Sequence, residues 1–390
     1  MDTPTRSTAD LTDQLLAEAA QFIDPLPTAF DRAIRAVPRH LFLPPLIWLR
    51  DGHGSHRPCD RATDPDEWLS AAYSDAPLVT QFTDGLPTSS ASMPSVVLRM
   101  LALAGLDRKS DRGRVLELGA GTGFNAALLC QLCGDQAVTT VELDPTLATE
   151  AERNLKAVGH TPKVVRGDAR AGWSAGAPYE RVIATFSVDR VPSAWLEQTE
   201  PGGLIVTPWH SAWCSGYGTL VLTTTPDCGG EGRFHSFASF MPMRGTALST
   251  ATPADDGRGD NAEQVTSSAL SPWAVAGGDL NAEFHIGLTV PGACYAWDAS
   301  GEHAPTRLDV ADDTGPSWAT VDYDGHHADR FTVTQAGPRR LWDEITAAHT
   351  RWENLGRPSV DQYGLTADTA GAQQVWAEGT DGTRRAASYT

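Results

Sequence analysis

The sequence predicts an α/β fold: a doubly wound sheet behind a helical N-terminal layer, with an α+β unit added at the C-terminal end. Three observations carry this expectation. An apolar strand pattern, Val115, Leu116 and Leu118, runs into Gly119, Gly121 and Gly123 and leaves through an apolar helical pattern from Ala126 to Leu132. Strand-like and helix-like segments then alternate, the pattern of a parallel sheet covered by helices. Finally, 390 residues suit two or three domains rather than one.

Taken in order, residues 10–36 show helical periodicity, with Leu11, Leu15, Leu16, Ala19 and Phe22 on one face. After a proline break, Phe30, Ile34 and Val37 form another. Strands are expected at 114–118, 137–142, 162–166, 179–186 and 203–208, with helices at 124–133, 145–158 and 192–199 between them. Two further strands, 219–224 and 233–241, joined through Pro226, Gly229 and Gly230, would close the sheet edge. Residues 244–280, rich in small and polar side chains, read as a linker. Beyond it the pattern predicts strands at 283–289, 306–310, 317–323 and 330–335, a helix over 338–355, and strand pieces at 363–366 and 374–376. The expected organisation is therefore a domain at 1–243, a linker at 244–280 and an extension at 281–390.

A formal charge of −19 argues against a nucleic-acid partner, which needs a dense field of Lys and Arg. The polar start Met1 to Asp10 lacks a signal-like apolar core, and the most apolar stretch, Leu41 to Leu49, is broken by Pro44 and Pro45. These features predict a cytoplasmic protein with no membrane partner, and leave its oligomeric state open. Six scattered cysteines do not suggest a disulfide framework. Cys130 and Cys133 have C-x-x-C spacing but lie inside a predicted helix, so they read as buried thiols. His53 and His56, near Cys59 and Asp60, read as a polar surface loop, so no metal is expected.

The glycine turn would present backbone N–H groups to a ligand at a helix N-terminus. The dinucleotide spacing G-x-G-x-x-G fails, because its sixth position is Phe124. Glu142, about 20 residues past the glycines at the tip of the next strand, stands where a carboxylate bonds ribose hydroxyls. The arrangement of Glu117, Gly119, Gly121 and Gly123 resembles motif I of the Rossmann-like S-adenosylmethionine methyltransferases. That resemblance implies S-adenosylmethionine as cofactor, S-adenosylhomocysteine as its product, and Glu117, Gly119, Gly121, Gly123, Asn125, Glu142, Asp168 and Ala169 as cofactor-binding residues. Asp168 would hold the adenine amino group.

Residues 36–44 (AVPRHLFLP), 72–78 (AYSDAPL), 87–95 (PTSSASMPS), 179–185 (YERVIAT) and 201–206 (PGGLIV) resemble successive signatures of the protein-L-isoaspartate O-methyltransferase family. The resemblance covers about residues 28–210. It implies a carboxylate nucleophile and a hydroxyl-bearing loop at the transfer site. Aligned on Pro94, the family's Gln-Thr-Ile-Ser-x-Pro falls on Ser89, Ser90, Ala91, Ser92, Met93 and Pro94, which makes Ser92 and Ser90 the catalytic candidates. Ser89 and Ala91 replace Gln and Ile, leaving the loop smaller and more polar. Val37, Pro38, Arg39, Tyr73 and Ser89 are the implied substrate-binding positions.

Repair-type family members are expected to end soon after the sheet, whereas residues 337–344 (GPRRLWDE), Arg351, Trp352, 356–358 (GRP) and 363–365 (YGL) resemble the extension of members that accompany graspetide and lanthipeptide pathways. The implied substrate is an aspartate side chain in a ribosomally made, modified precursor peptide, with isoaspartyl repair ranked second. A catalytically weak cofactor-binding scaffold is a third reading, opposed by the intact Glu142, Asp168 and Ser92. Arg339 and Arg340, with Arg351 and Arg357, are candidate contacts to an acidic peptide or else a solvated helix face. Leu341, Trp342, Ile345 and Trp352 are expected to form the core of the extension.

Overall fold

The computed structural model describes residues 7–52, 55–107, 113–214, 218–236, 239–245, 263–298, 306–368, 370–379 and 382–387. Helix α1 (Thr8–Ala19) opens on a capping box, in which the Ser7 side chain accepts from the Asp10 N–H and Asp10 answers the Ser7 backbone. Its face Leu11, Leu15, Leu16 and Ala19 packs with Phe30 and Ile34 of α2 (Thr28–Ala36). Phe22, expected on that face, lies beyond the helix end and is exposed. The N-terminal layer is more than helical. Strands β1 (Leu46–Arg50), β2 (His56–Asp60), β3 (Leu78–Thr83) and β4 (Leu86–Ala91) form an antiparallel sheet in the order β2-β1-β3-β4, with α3 (Pro65–Ala72) inserted and α4 (Pro94–Leu103) following.

The central sheet grows from β5 (Val115–Leu118), α5 (Phe124–Cys133), β6 (Val138–Glu142), α6 (Pro145–Ala157), β7 (Lys163–Arg166), β8 (Tyr179–Ala184), α7 (Ser193–Gln198) and β9 (Thr199–Trp209). Strand β5 pairs parallel with β6 on one side and β8 on the other, so the chain reverses its direction of travel across the sheet at the end of β5. Such a switch opens a crevice at the carboxyl ends of the strands, and the glycine turn sits in it. The inner strands are buried on both faces, as helix-covered parallel strands are, and Leu116, Leu118, Val182 and Ile205 are fully buried.

Antiparallel β10 (Gly218–Thr224) and β11 (Gly230–Ser236) continue the sheet, β11 starting three residues before the expected strand. Next come β12 (Gln264–Ser268), α8 (Leu280–Thr289), β13 (Ala293–Trp297), β14 (Arg307–Asp312), β15 (Trp318–Tyr323), β16 (Phe331–Ala336), α9 (Leu341–Asn354), β17 (Tyr363–Ala367), β18 (Gln373–Glu378) and β19 (Arg384–Ala386). A second antiparallel sheet has the order β12-β16-β15-β14-β13, and Trp342, Ile345 and Ala348 of α9 pack into its core with Leu308, Val310 and Val321. The extension is thus a core-forming unit around Leu341, Trp342 and Ile345.

Three expectations fail here for identifiable reasons. Segment 283–289 is helix, not strand. Asp279 caps α8 by accepting from the Asn281 and Ala282 N–H groups, and Ala282 through Gly287 are all buried, so no apolar–polar helical period was visible. The supposed linker holds β12, a largely exposed edge strand without an apolar run to mark it. The boundary at 281 also fails as a division between units. Strands β17, β18 and β19 leave the extension and join the first sheet through β17–β11, giving ten strands in the order β19-β18-β17-β11-β10-β9-β8-β5-β6-β7. Alternation reveals a strand but not its partner.

Candidate active-site cleft

The glycine turn carries out the expected bend. Gly119 has φ 93°, and a Cβ there would stand 2.6 Å from Thr185 Oγ1 and 2.9 Å from the Phe186 ring, so both conformation and space require glycine. Gly121 has φ 51°, but its side-chain direction is open, with Ser89 Oγ 3.9 Å away. The turn forms the floor of a cleft of about 1000 Å³ including its open mouth. Gly119, Gly121, Asn125, Glu142, Asp168, Ala169, Ser89, Ser90 and Ser92, all expected at the site, line it together.

Glu142 ends β6 with its carboxylate already oriented: Oε2 accepts from the Gly121 N–H at 2.8 Å and Oε1 from the Asp144 N–H at 3.0 Å. Each oxygen accepts only one such bond and Glu142 lines the cleft, so both keep acceptor capacity that suits a pair of ribose hydroxyls. Asp168 accepts from the Arg170 N–H at 2.9 Å and from Arg170 Nε at 3.0 Å. Burial works to raise its pKa, but these donors outweigh it and hold the carboxyl below its ordinary value. Ala169 lines the cleft, with its carbonyl occupied by Trp195 Nε1 at 2.7 Å.

Glu117 and Gly123 do not reach the cleft wall. Glu117 is fully buried beneath the turn and accepts from Asn125 Nδ2 at 2.7 Å. Burial pushes its carboxyl up to about 7, with hydrogen bonds from Thr140 and Asn125 opposing. It can act on a ligand only through Asn125, whose Oδ1 is buried without a partner. Gly123 instead caps α5 with φ 91°, and a Cβ there would stand 3.2 Å from the Ala151 carbonyl oxygen.

The serine loop ends β4. Ser89 Oγ accepts from Thr80 Oγ1 at 3.2 Å, while Ser90 and Ser92 border the cleft. Four other expected substrate contacts are not among the residues lining the cleft. Arg39 is 1% exposed and its guanidinium donates to the carbonyls of Ala72, Ser74, Ala76, Ala91 and Ser92. Burial lowers its pKa to about 10, only partly offset by Asp75. Val37 is buried in the N-terminal core, Pro38 precedes the short turn Arg39–Phe42, and the Tyr73 hydroxyl meets His40 Nδ1 at 2.6 Å. Arg39 therefore supports the loop from behind, because two of its five carbonyls belong to Ala91 and Ser92.

The extension arginines are also away from the cleft. Arg339 bonds Glu344 at 2.6 Å, Asp312 at 3.3 Å and the Pro291 carbonyl at 3.0 Å; Arg340 donates to the Gln335 carbonyl. Arg357 pairs with Glu353 and lies over the Trp352 ring. Cys130 is buried as expected, but His160 from a distant turn joins it with Asp135, all ligand-type atoms within 4.8 Å. Those groups already bond one another and the chain: His160 Nδ1 meets Asp135 at 2.8 Å, and the Thr161 N–H donates to Asp135 at 2.6 Å. His56 and Asp60 lie on β2 with Cys59 buried between, while His53 falls outside the described residues. Among the described residues, no helix is long and apolar enough to cross a membrane.

Sequence reasoning missed one wall. Residues 240–244 cross the cleft mouth, with Phe240, Met241, Pro242, Met243 and Arg244 all lining it. Ser187 donates its N–H to the Met241 carbonyl and accepts from the Met243 N–H, both at 2.9 Å. At the other end Arg244 donates to Asp144 at 3.2 Å and to Gln81 Oε1 and the Thr88 carbonyl at 2.7 Å each. Nothing local marks Arg244, since its partners are 100 to 163 residues away.

Comparison with known proteins agrees with this geometry. Residues 59–214 match the family model described as Protein-L-isoaspartate(D-aspartate) O-methyltransferase (PCMT). Protein-L-isoaspartate O-methyltransferase 2 of Shewanella sediminis is 32% identical over 219 residues, 55% of this chain and 75% of that one. Protein-L-isoaspartate O-methyltransferase 2 of Archaeoglobus fulgidus is 30% identical, over 55% of this chain and 84% of that one. A solved structure titled protein-L-isoaspartate O-methyltransferase superposes with TM-score 0.54 at 21% identity, covering 95% of this chain and 99% of that one. That coverage corrects the expectation that chains of this name stop soon after the sheet: the fold of the extension is shared by one that bears it.

Proposed function

The chain belongs to the protein-L-isoaspartate O-methyltransferase family, and on that premise we propose that it methylates an aspartate side-chain carboxylate in a ribosomally made, modified precursor peptide. The family's cofactor is S-adenosylmethionine, which supplies an electrophilic methyl group on a sulfonium. The chain's own residues fit it. Glu142 has lone pairs for the ribose hydroxyls, Asp168 an ionised carboxylate for the adenine amino group, and Asn125 a buried acceptor without a partner. The observation that carries the reading is the convergence of this cofactor floor with the hydroxyl-bearing end of β4, Ser90 and Ser92, in one cleft.

An aspartate carboxylate, with an unperturbed pKa of about 3.9, is ionised at neutral pH and needs no general base. Ser90 and Ser92 orient it by donating hydrogen bonds without transferring a proton. Phe186, Phe240, Met241 and Met243 wall the same space with apolar surface, which keeps water from competing for the nucleophilic oxygen. Rate then comes from holding that oxygen in line at a near-attack separation of about 3–3.5 Å. The ester formed has methoxide as its leaving group. The backbone nitrogen of the next peptide residue attacks the ester carbonyl, loses its proton and expels methanol, closing a succinimide (aspartimide) that hydrolyses to Asp or isoAsp.

Two observations support a modified peptide over general isoaspartyl damage: the resemblance of residues 337–365 to pathway-associated members, and the smaller loop made by Ser89 and Ala91. The second reading, isoaspartyl repair, has the names of the curated relatives in its favour. A competition assay separates them. The full chain with S-adenosylmethionine is offered the cyclised precursor, the linear precursor and a short isoaspartyl peptide, and products are weighed. A gain of one methylene marks the ester and a loss of one water marks the ring. The cyclised precursor is expected to react fastest, because its ordering entropy is already lost before binding. Preference for the isoaspartyl peptide overturns the precursor reading and establishes repair.

A further inference from the structure

Among the described residues, the charged side chains lining the cleft are two acids, Glu142 and Asp168, and one cation, Arg244. We propose that Arg244 is a positioning residue for methyl transfer: it fastens segment 240–244 across the cleft, so that enclosure of the donor and alignment of the serine loop become one event. This rests on the reading of the cleft as an S-adenosylmethionine site.

Arg244 bonds the start of α6, β4 and, through Gln81, β3, and so joins segment 240–244 to all three. Through Asp144 it holds the start of α6, and the Asp144 N–H in turn donates to Glu142 Oε1, the expected ribose ligand. Through the Thr88 carbonyl it holds β4 directly before Ser89 and Ser90. Gln81 completes the ring, accepting from Arg244 with Oε1 and donating Nε2 to Asp144 at 3.0 Å. The far end of the segment is pinned to Ser187, just past β8, by the two backbone bonds at Met241 and Met243 and by Ser187 Oγ to the Phe240 carbonyl at 3.2 Å. The segment therefore spans from beyond β8 to the start of α6, above the glycine turn between them.

A guanidinium suits this task because its planar fork reaches several acceptors at once, so releasing one side chain frees all three anchors together. The side chain is 35% exposed and the Asp144 side chain 17%, which makes the fastening accessible to solvent rather than locked in the core. Such a clasp must open in each catalytic cycle, since the demethylated cofactor has to leave before a fresh donor binds. The closed form presses Phe240, Met241 and Met243 onto the cleft and sets β4 against Gly121, where the Ser90 carbonyl stands 4.0 Å from the direction a side chain would take.

The test measures S-adenosylhomocysteine dissociation from full-length wild type, R244Q and R244K, together with single-turnover methyl transfer and the thermal midpoint without cofactor. Expected are dissociation about tenfold faster and methyl transfer about tenfold slower in R244Q, with the cofactor-free midpoint little changed and R244K intermediate, since Lys keeps the charge but loses the fork. Gln81→Ala should move both rates the same way by less, and it keeps the inference testable if R244Q folds poorly. Rates in R244Q equal to wild type, or a change confined to the midpoint, overturn the inference and leave the cofactor reading standing. Failure of wild type to bind S-adenosylhomocysteine overturns that reading and the inference with it.

Discussion

The cleft and the extension treat their charged side chains in opposite ways. At the cleft, Glu142 is held by two backbone donors and still has lone pairs to offer, and Asn125 Oδ1 is buried with no partner. In the extension, Arg339 has Glu344, Asp312 and the Pro291 carbonyl, Arg357 has Glu353, and Trp352 Nε1 donates to the Pro358 carbonyl at 3.0 Å. Buried polar groups are ordinarily paired, so capacity left open in a concavity marks where a ligand completes the bonding. The extension also buries one indole nitrogen without a partner, Trp342 Nε1, but inside its packed core rather than in a concavity, and its arginines bond the unit's own acids and carbonyls. Its link to the cleft runs through the sheet: β17 pairs with β11, which precedes segment 240–244 in the chain.

The largest expected effect tests whether a buried cation behind the cleft is structural. Arg39→Met removes the donor from five carbonyls, including those of Ala91 and Ser92, and should cost about 3–5 kcal/mol of stability. Denaturant titration with retained cofactor affinity in the folded fraction is the expected pattern. Full stability combined with a raised KM for peptide would return Arg39 to the substrate-contact role.

Next is Glu117, whose burial raises its pKa from 4.5 to about 7. A carboxyl with a raised folded-state value binds more protons folded than unfolded between those limits. Its contribution is fully present below about 4.5 and is lost as pH rises through about 7. The stability of the cofactor-free wild type relative to Glu117→Gln should therefore fall across that window, by up to about 3 kcal/mol. A difference between the two proteins that stays flat from pH 4.5 to 7 would mean that Glu117 keeps an ordinary carboxyl pKa.

The cleft half was readable in advance because its chemistry is local. The glycines, Glu142 and Asp168 each follow an apolar strand, and a strand end in a parallel sheet has only one place to be, so spacing along the chain translated into position in space. Ser90 and Ser92 were reached through the family resemblance, since a Ser-rich strand end has no signature of its own. Arg39 was named as a substrate contact, and its bonds to five carbonyls were not legible, because a signature residue shows that a position matters and not whether it faces ligand or backbone. Arg244 and the β11–β17 pairing were invisible, each depending on partners a hundred or more residues away. Helix α8 failed by the reverse logic: a helix buried on every side has no polar face to reveal its period.

Within the cleft, Glu142→Ala should weaken S-adenosylmethionine binding by about tenfold or more, the loss of charge-assisted bonds worth about 1.5–3 kcal/mol. Calorimetric titration giving the wild-type affinity would remove Glu142 from the ribose site, and with it the claim that open bonding capacity marks the ligand.

The smallest expected effect carries the other side of the comparison. Arg339 is 27% exposed and shares its charge between Glu344, 37% exposed, and Asp312, 6% exposed. Asp312 also accepts from the Thr314 N–H and hydroxyl, so it keeps partners if the guanidinium is removed. Solvent screens the Glu344 pair, and Arg339→Ala should cost about 1 kcal/mol or less. Methyl-transfer kinetics on the preferred peptide should be unchanged in both kcat and KM, because a side chain already bonded on three sides has little left to offer a substrate. A KM raised tenfold with stability intact would show that the peptide competes successfully for that guanidinium. The extension would then be a reading surface in its own right, and the contrast between an open cleft and a self-satisfied extension would no longer hold.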